Sequence, residues 1–251
     1  MKRMTWLAAC IFFTVPAFAD AILTSDNRFT STSGSGHVCS FSCVAGNQAF
    51  YNPSWSMSAS PSAPFADFSV IETPNTGGLD TSIRVSQTSS VSPTDFEASG
   101  IVWVNSHAFC GSGYSSGGCT VGGNAASVFE VGFTLSDAEP YQFTVGFHFG
   151  LPGTIYLSGT GIQTLTAGNN GFSSSGVLPA GSYVLHADQI ASFSMAQGES
   201  FVTDQAPSDL DYYRVSLVLQ SQSTPAPVPE AGSFLALVAG LAMLGIFIRL
   251  C

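Results

Sequence analysis

Several groups in this sequence could do chemistry, and each needs a particular setting. Gly113-Tyr114-Ser115-Ser116-Gly117 spells G-x-S-x-G, the turn that lifts a nucleophilic serine above a sheet. That chemistry requires a strand before the turn, a helix after it, and a histidine and an acid to activate the hydroxyl. His148 and His186 lie downstream, but the motif sits in a Ser/Gly-rich stretch between Cys110 and Cys119 with no helical pattern after it. Catalysis is therefore not expected, and no catalytic residue is assigned. The four histidines, His37, His107, His148 and His186, share no ligand spacing and read as ordinary strand or surface residues. Asp204, Asp209 and Asp211 are the best calcium candidates, because hard cations want several oxygens within one loop. They lack the EF-hand spacing, so a solvated acidic turn is the plainer reading and no metal or cofactor is expected. Asp95 with Glu97 would be an arbitrary choice of glycosidase pair, since their separation in space is not written in the sequence. Trp55, Trp103, Tyr114 and Tyr156 could stack on sugars, although Trp103 in Ile101-Val102-Trp103-Val104 reads as core.

Cysteine usage agrees with an exported, oxidising setting for these groups. Met1 to Ala19 has a positive start (Lys2, Arg3), an apolar centre from Leu7 to Val15 and a small-x-small end at Ala17-Phe18-Ala19, the three parts of a secretory signal. The apolar centre is too short for a membrane span of ~20 residues. Cys10 leaves with the signal and Cys251 lies at the far end, so Cys39, Cys43, Cys110 and Cys119 remain. Export favours disulfides over zinc, for which the C-x3-C and C-x8-C spacings are also loose. Of the three possible connectivities, Cys39–Cys43 with Cys110–Cys119 is preferred because each closes a short Gly- or Ser-rich loop.

Charge excludes one class of partner. Between Asp20 and Pro227 there are fifteen acidic residues against three basic ones, Arg28, Arg84 and Arg214, a balance of −12. Such a surface repels phosphate backbones, so no nucleic acid is expected, and it lacks the Lys/Arg clusters that bind anionic lipid. Aromatic and β-branched residues are plentiful, which sets this span apart from disordered chains.

The elements that would position these groups read as strands. Phe129, Val131, Phe133 and Leu135 alternate with smaller or polar residues. After Ser136–Pro140, so do Tyr141, Phe143, Val145, Phe147 and Phe149, which reads as a hairpin with an aromatic core face. Further strands are expected at Phe68–Ile71, Ser82–Gln87, Ile101–Asn105, Thr154–Ser158, Gly161–Thr166, Ser182–His186, Ile190–Met195 and Tyr212–Gln220. Residues 30–66 are rich in Ser, Gly and Pro and are expected to be loops and irregular edges, with a long exposed loop from Phe109 to Asn124. The expected fold is all-β: an antiparallel β-sandwich or jelly-roll-like domain over residues 20–220, flanked by an N-terminal signal helix (1–19) and a C-terminal membrane helix.

The chain ends in Pro225–Cys251, PAPVPEAGSFLALVAGLAMLGIFIRLC. Residues 221–230 form a Pro-rich spacer ending in the step Val228-Pro229-Glu230. Residues 231–251 carry an uncharged apolar run, Phe234–Ile248, and then Arg249. That run is a short membrane span whose Arg249 end stays on the cytoplasmic side. The layout resembles the PEP-CTERM sorting domain of exported Gram-negative bacterial proteins, in which a Val-Pro-Glu-Pro step precedes an apolar helix and a basic cluster. Here Ala231 replaces the second proline and Arg249 alone stands for the cluster. Leu178-Pro179-Ala180-Gly181-Ser182-Tyr183-Val184-Leu185 is also similar to a turn-and-strand found in β-sandwich members of that group. The resemblance implies a cell-surface or matrix protein linked to exopolysaccharide, an exosortase-like processing enzyme as partner, and a tail that is cleaved or kept as an anchor. It brings no catalytic residues. A carbohydrate-binding module is the alternative reading, with a secreted hydrolase behind both.

Overall fold

The computed structural model describes residues 21–39, 50–76, 79–108, 119–148, 153–167, 171–196, 198–203 and 212–220. They lie within one unit, Ala19–Ser221, and form fifteen strands with no helix among them. The strands are β1 (Ile22–Asp26), β2 (Phe29–Cys39), β3 (Phe50–Tyr51), β4 (Ser54–Ala59), β5 (Phe68–Glu72), β6 (Thr81–Val91), β7 (Asp95–His107) and β8 (Thr120–Leu135). The second half supplies β9 (Glu139–His148), β10 (Gly153–Gly159), β11 (Leu165–Thr166), β12 (Phe172–Leu178), β13 (Gly181–Met195), β14 (Ser200–Val202) and β15 (Tyr212–Leu219). They build two antiparallel sheets. One has the order β11-β10-β13-β8-β2-β3, with β1 also on β8 and β4 also on β2. The other runs β12-β9-β15-β7-β6-β5, with β14 also on β7.

The aromatic alternation does build the core, but not through a hairpin. Phe129, Phe133 and Phe143 are wholly buried, and Tyr141 nearly so. Yet β8 and β9 part at Ser136 and enter different sheets: β8 pairs with β1, β2 and β13, and β9 with β12 and β15. A period of two fixes which side chains turn inward, not which strand lies alongside. Two apolar faces of this size gain more by closing on each other across the sheets, at ~1.5–3 kcal/mol per buried large side chain, than by lying side by side. Phe133 accordingly meets Phe96 of β7 from the opposite sheet, with ring centroids 4.7 Å apart.

The expectation of irregular structure over 30–66 fails at β2, an eleven-residue strand paired with β8 on one side and β4 on the other. Its inward residues are small: Thr30, Thr32, Gly34 and Gly36. That lack of bulk is what the site demands. The Trp55 indole of β4 folds over β2 and β8, where a Cβ on Gly34 would collide with it and one on Gly123 would stand only 2.9 Å away. Nor is 109–124 all loop, because β8 begins at Thr120 and carries Gly122 and Gly123 within the ladder. Residues 182–186 and 190–195 form one fifteen-residue strand, with Asp188 turned out and Gln189 turned in. Of 161–166 only Leu165–Thr166 is strand, and β12, the sequence FSSSGVL, is a strand without aromatic alternation.

A polar layer divides the core. Across the first sheet run Thr30, Ser127 and Gln189, and across the second run Gln87, Gly100 and Tyr213. Apolar clusters lie on either side, one around Phe129, Phe143 and Leu217, the other around Val85, Val102 and Phe193. The Tyr213 ring covers Gly100, where any Cβ would run into it, and its hydroxyl donates to Ser127 Oγ at 3.2 Å. Ser127 in turn donates to the Ser86 carbonyl. Gln189 completes β7: its Oε1 accepts the Val102 N–H at 3.0 Å, between the stretches of β7 covered by β15 and β14, and Thr203 Oγ1 takes the Val104 N–H.

Candidate functional site

Strand alternation turns every second side chain of the β5–β6–β7–β15 sheet outward, and in two adjacent rows of this face they are mostly hydroxyls. Ser69, Thr88, Ser99 and Arg214 stand in one row straight across four strands. Ser90, Glu97 and Ser216 form the next row. Together with Asp67 they line an open groove of about 520 Å³. Serine and threonine hydroxyls donate and accept alike, so such a floor matches a ligand that carries many hydroxyls of its own. Arg214 supplies fixed donors and Glu97 fixed acceptors beside them. Both are exposed, and among the described residues Arg214 makes no ion pair.

The outer face of the other sheet carries a charged cluster. His186 on β13 lies level with Tyr156 of β10 and Glu130 of β8. Its Nδ1 is 3.0 Å from Glu130 Oε2, and its Nε2 is 3.3 Å from Asp188 Oδ2, two residues on. The Tyr156 ring stacks on the imidazole at 4.8 Å and 15°. Asp188 also accepts the Thr154 N–H at 2.6 Å. Burial works against an imidazolium here, but the hydrogen bonds to Asp188 and Glu130 and their two charges outweigh it, so the His186 pKa is raised. When protonated, the imidazole donates through both nitrogens and has none left to take a proton from a nucleophile. The cluster is a charge clamp across three strands. Sequence reading treated His186 as an ordinary strand residue. The i, i+2 pair with Asp188 was visible there, whereas the Glu130 contact depends on cross-strand register.

The structure separates the other sequence candidates. Gly113–Gly117, with Tyr114 and Ser115, lies outside the described residues, as do Asp204, Asp209 and Asp211. Among the described residues no group of three His, Cys, Asp or Glu is placed to hold a metal ion. His37 meets Asn52 Oδ1 at 2.6 Å. Asp95 and Glu97 both face outward on β7, and only Glu97 lines the groove. Trp55 is 7% exposed and belongs to the core, so it cannot stack on a sugar. Trp103 is the reverse: Val102 and Val104 point inward and are wholly buried, which puts Trp103 on the outer face, half-buried. Cys119 is disulfide-bonded and 1% exposed. Whether it joins Cys39, Cys43 or Cys110 turns on side chains outside the described set. Val228, Pro229, Glu230 and Arg249 lie outside it too. Among the described residues no helix is long and apolar enough to cross a membrane.

Missed by sequence reading were Arg214, Thr88 and Ser99, which lie on three strands and share no spacing along the chain. No family model, no curated protein and no solved structure matches this chain.

Proposed function

We propose that this chain is an exported envelope or extracellular-matrix protein of a Gram-negative bacterium, delivered by its PEP-CTERM-like tail and serving a structural or adhesive role. The observation that carries the reading is the order Val228-Pro229-Glu230, apolar run Phe234–Ile248, then Arg249, at the end of a chain that opens with a secretory signal. In this reading an exosortase-like enzyme processes the tail, or the apolar run stays in the membrane as an anchor. Mass spectrometry of the mature protein tests it: an N-terminus at Asp20 is expected, with a C-terminus near Glu230 or an intact Cys251. A chain that retains Met1–Ala19 and is recovered from the cytoplasm would sink the proposal.

We infer a jelly-roll-like winding for the domain. Its support is the nesting of the strand pairs, β10 with β11, β9 with β12, β8 with β13 and β7 with β14 and β15, as in one long hairpin rolled across two sheets.

The hydroxyl-lined groove favours a second reading, in which adhesion means holding a saccharide such as exopolysaccharide. A domain at −12 meets a neutral chain more readily than a polyanion. Affinity electrophoresis against neutral polysaccharides, with Arg214→Ala and Glu97→Ala as comparisons, is expected to show retardation that both variants lose. Retardation unchanged in both would remove the groove from the account.

A further inference from the structure

We infer that β12 is a self-association edge, at which a second copy of this chain adds its own β12 antiparallel and continues the seven-stranded sheet. The strand lies at the end of the sheet order, and among the described residues only β9 pairs with it. That pairing runs in register through all seven residues, Phe172–Val145 to Leu178–Glu139, without a bulge. The far side is therefore a straight row of backbone donors and acceptors.

Sheet edges are usually protected by charge, proline, bulges or brevity. Among the described residues the other edge strands follow that rule: β3 and β11 have two residues and β14 three, β1 ends in Asp26, β5 carries Glu72, and β4 is bracketed by Pro53 and Pro61. Phe172-Ser-Ser-Ser-Gly-Val-Leu178 is seven residues long with neither charge nor proline within it, a single proline, Pro179, follows it, and Val177 is 55% exposed.

The occupant follows from charge. Two copies at −12 each repel wherever their acidic faces approach, so contact between them is favoured along an edge that carries no charge. The segment also fits itself. Antiparallel pairing centred on Ser175 sets Val177 of one copy against Ser173 of the other on the outer face, and Phe172 against Leu178 on the core face. Gly176, opposite Ser174, brings no side chain to the pairing, and the Tyr141 ring of its own copy lies over it. An edge contact of this length buries less than the ~1,200 Å² of a standard interface, so association is weak and concentration-dependent. Because the opposing force is like-charge repulsion, screened beyond ~8 Å at physiological salt, salt strengthens it.

Analytical ultracentrifugation of the full chain in mild detergent tests this. The expected result is a mass that climbs from monomer toward dimer with protein concentration, and further with added salt. Ser175→Asp, an outward-facing change that sets two carboxylates face to face, is expected to return the protein to monomer with an unchanged melting temperature. Ser175→Thr is expected to keep the dimer. A monomer at every concentration and salt level, or a dimer indifferent to Ser175→Asp, overturns the proposal. The second outcome would assign association to another surface or to the tail.

Discussion

Asp26 at the end of β1 and Arg28, two residues on, meet side-on: Nε to Oδ1 and Nη2 to Oδ2 are both 2.7 Å. Arg28 is 2% exposed, and it also donates to Ser89 Oγ at 3.0 Å and to the Ala66 carbonyl at 2.8 Å. Asp26 further accepts the N–H of Phe65, whose φ is 61°. One ion pair thus ties the 60–67 loop to both sheets.

Asp26→Asn is expected to destabilise the domain strongly, because it leaves a buried guanidinium without its counter-charge, a loss of about 3–5 kcal/mol in comparable sites. Urea unfolding measures it. Burial raises the Asp26 pKa, but the Arg28 hydrogen bond, the Phe65 N–H and the Arg28 charge prevail and hold it below the ordinary range. A depressed carboxyl contributes stability above its unfolded pKa and loses it as pH falls through the folded one. Wild type should therefore lose stability in acid below about pH 4 more steeply than the variant.

His186 works in the opposite direction. Its pKa is raised, so its contribution is complete below about pH 6.5 and is lost as pH rises through the folded value. The groups facing it are Glu130 from β8, Asp188 on its own strand and Tyr156 from β10. Melting temperatures across this range should fall in wild type and stay flatter in His186→Gln. An NMR titration of His186 that gives an ordinary or lowered pKa would contradict the clamp.

Gly100→Ala should be costly for a surface-neutral change, about 1–3 kcal/mol, because the new methyl enters the space of the Tyr213 ring and the Ser127 hydroxyl. Tyr213→Phe removes only the hydroxyl and should lose about 1 kcal/mol. Combining Gly100→Ala with Tyr213→Leu, which clears the ring, should cost less than the sum of the single changes. Additive losses in that double-mutant cycle would mean the ring is not the obstacle.

Tyr183→Phe tests the Leu178–Leu185 motif. The Tyr183 hydroxyl lies 2.6 Å from the Pro179 carbonyl and 3.0 Å from that of Thr160, at the point where the chain leaves β12 and crosses to β13 in the other sheet. Loss of the hydroxyl removes the donor shared by two part-buried carbonyls and should cost about 1 kcal/mol. Chemical denaturation that leaves the midpoint unmoved would mark the bond as dispensable.

Some of this was legible in the sequence. Phe129 to Leu135 and Tyr213 to Leu219 declared their inward faces by alternation, and those side chains are buried as the pattern required. What alternation cannot carry is partnership. It could not tell that β8 and β9 separate into two sheets. Nor could it reveal that β2, with Thr30 and Gly34 facing inward, would be a well-paired strand, since its small residues are an answer to Trp55 on another strand. The groove was hidden for the same reason: Arg214 and Thr88 become neighbours of Ser99 only through register.

The strand that leads out of the domain, β15, is hydrogen-bonded along both edges, to β7 by seven residue pairs and to β9 by eight. Any tension arriving along the chain beyond Gln220 therefore falls on an interior strand and is shared by two ladders at once. Unzipping an edge would not release it. In mechanical terms a pull on that end would be taken up by the middle of the sheet, an arrangement suited to bearing load.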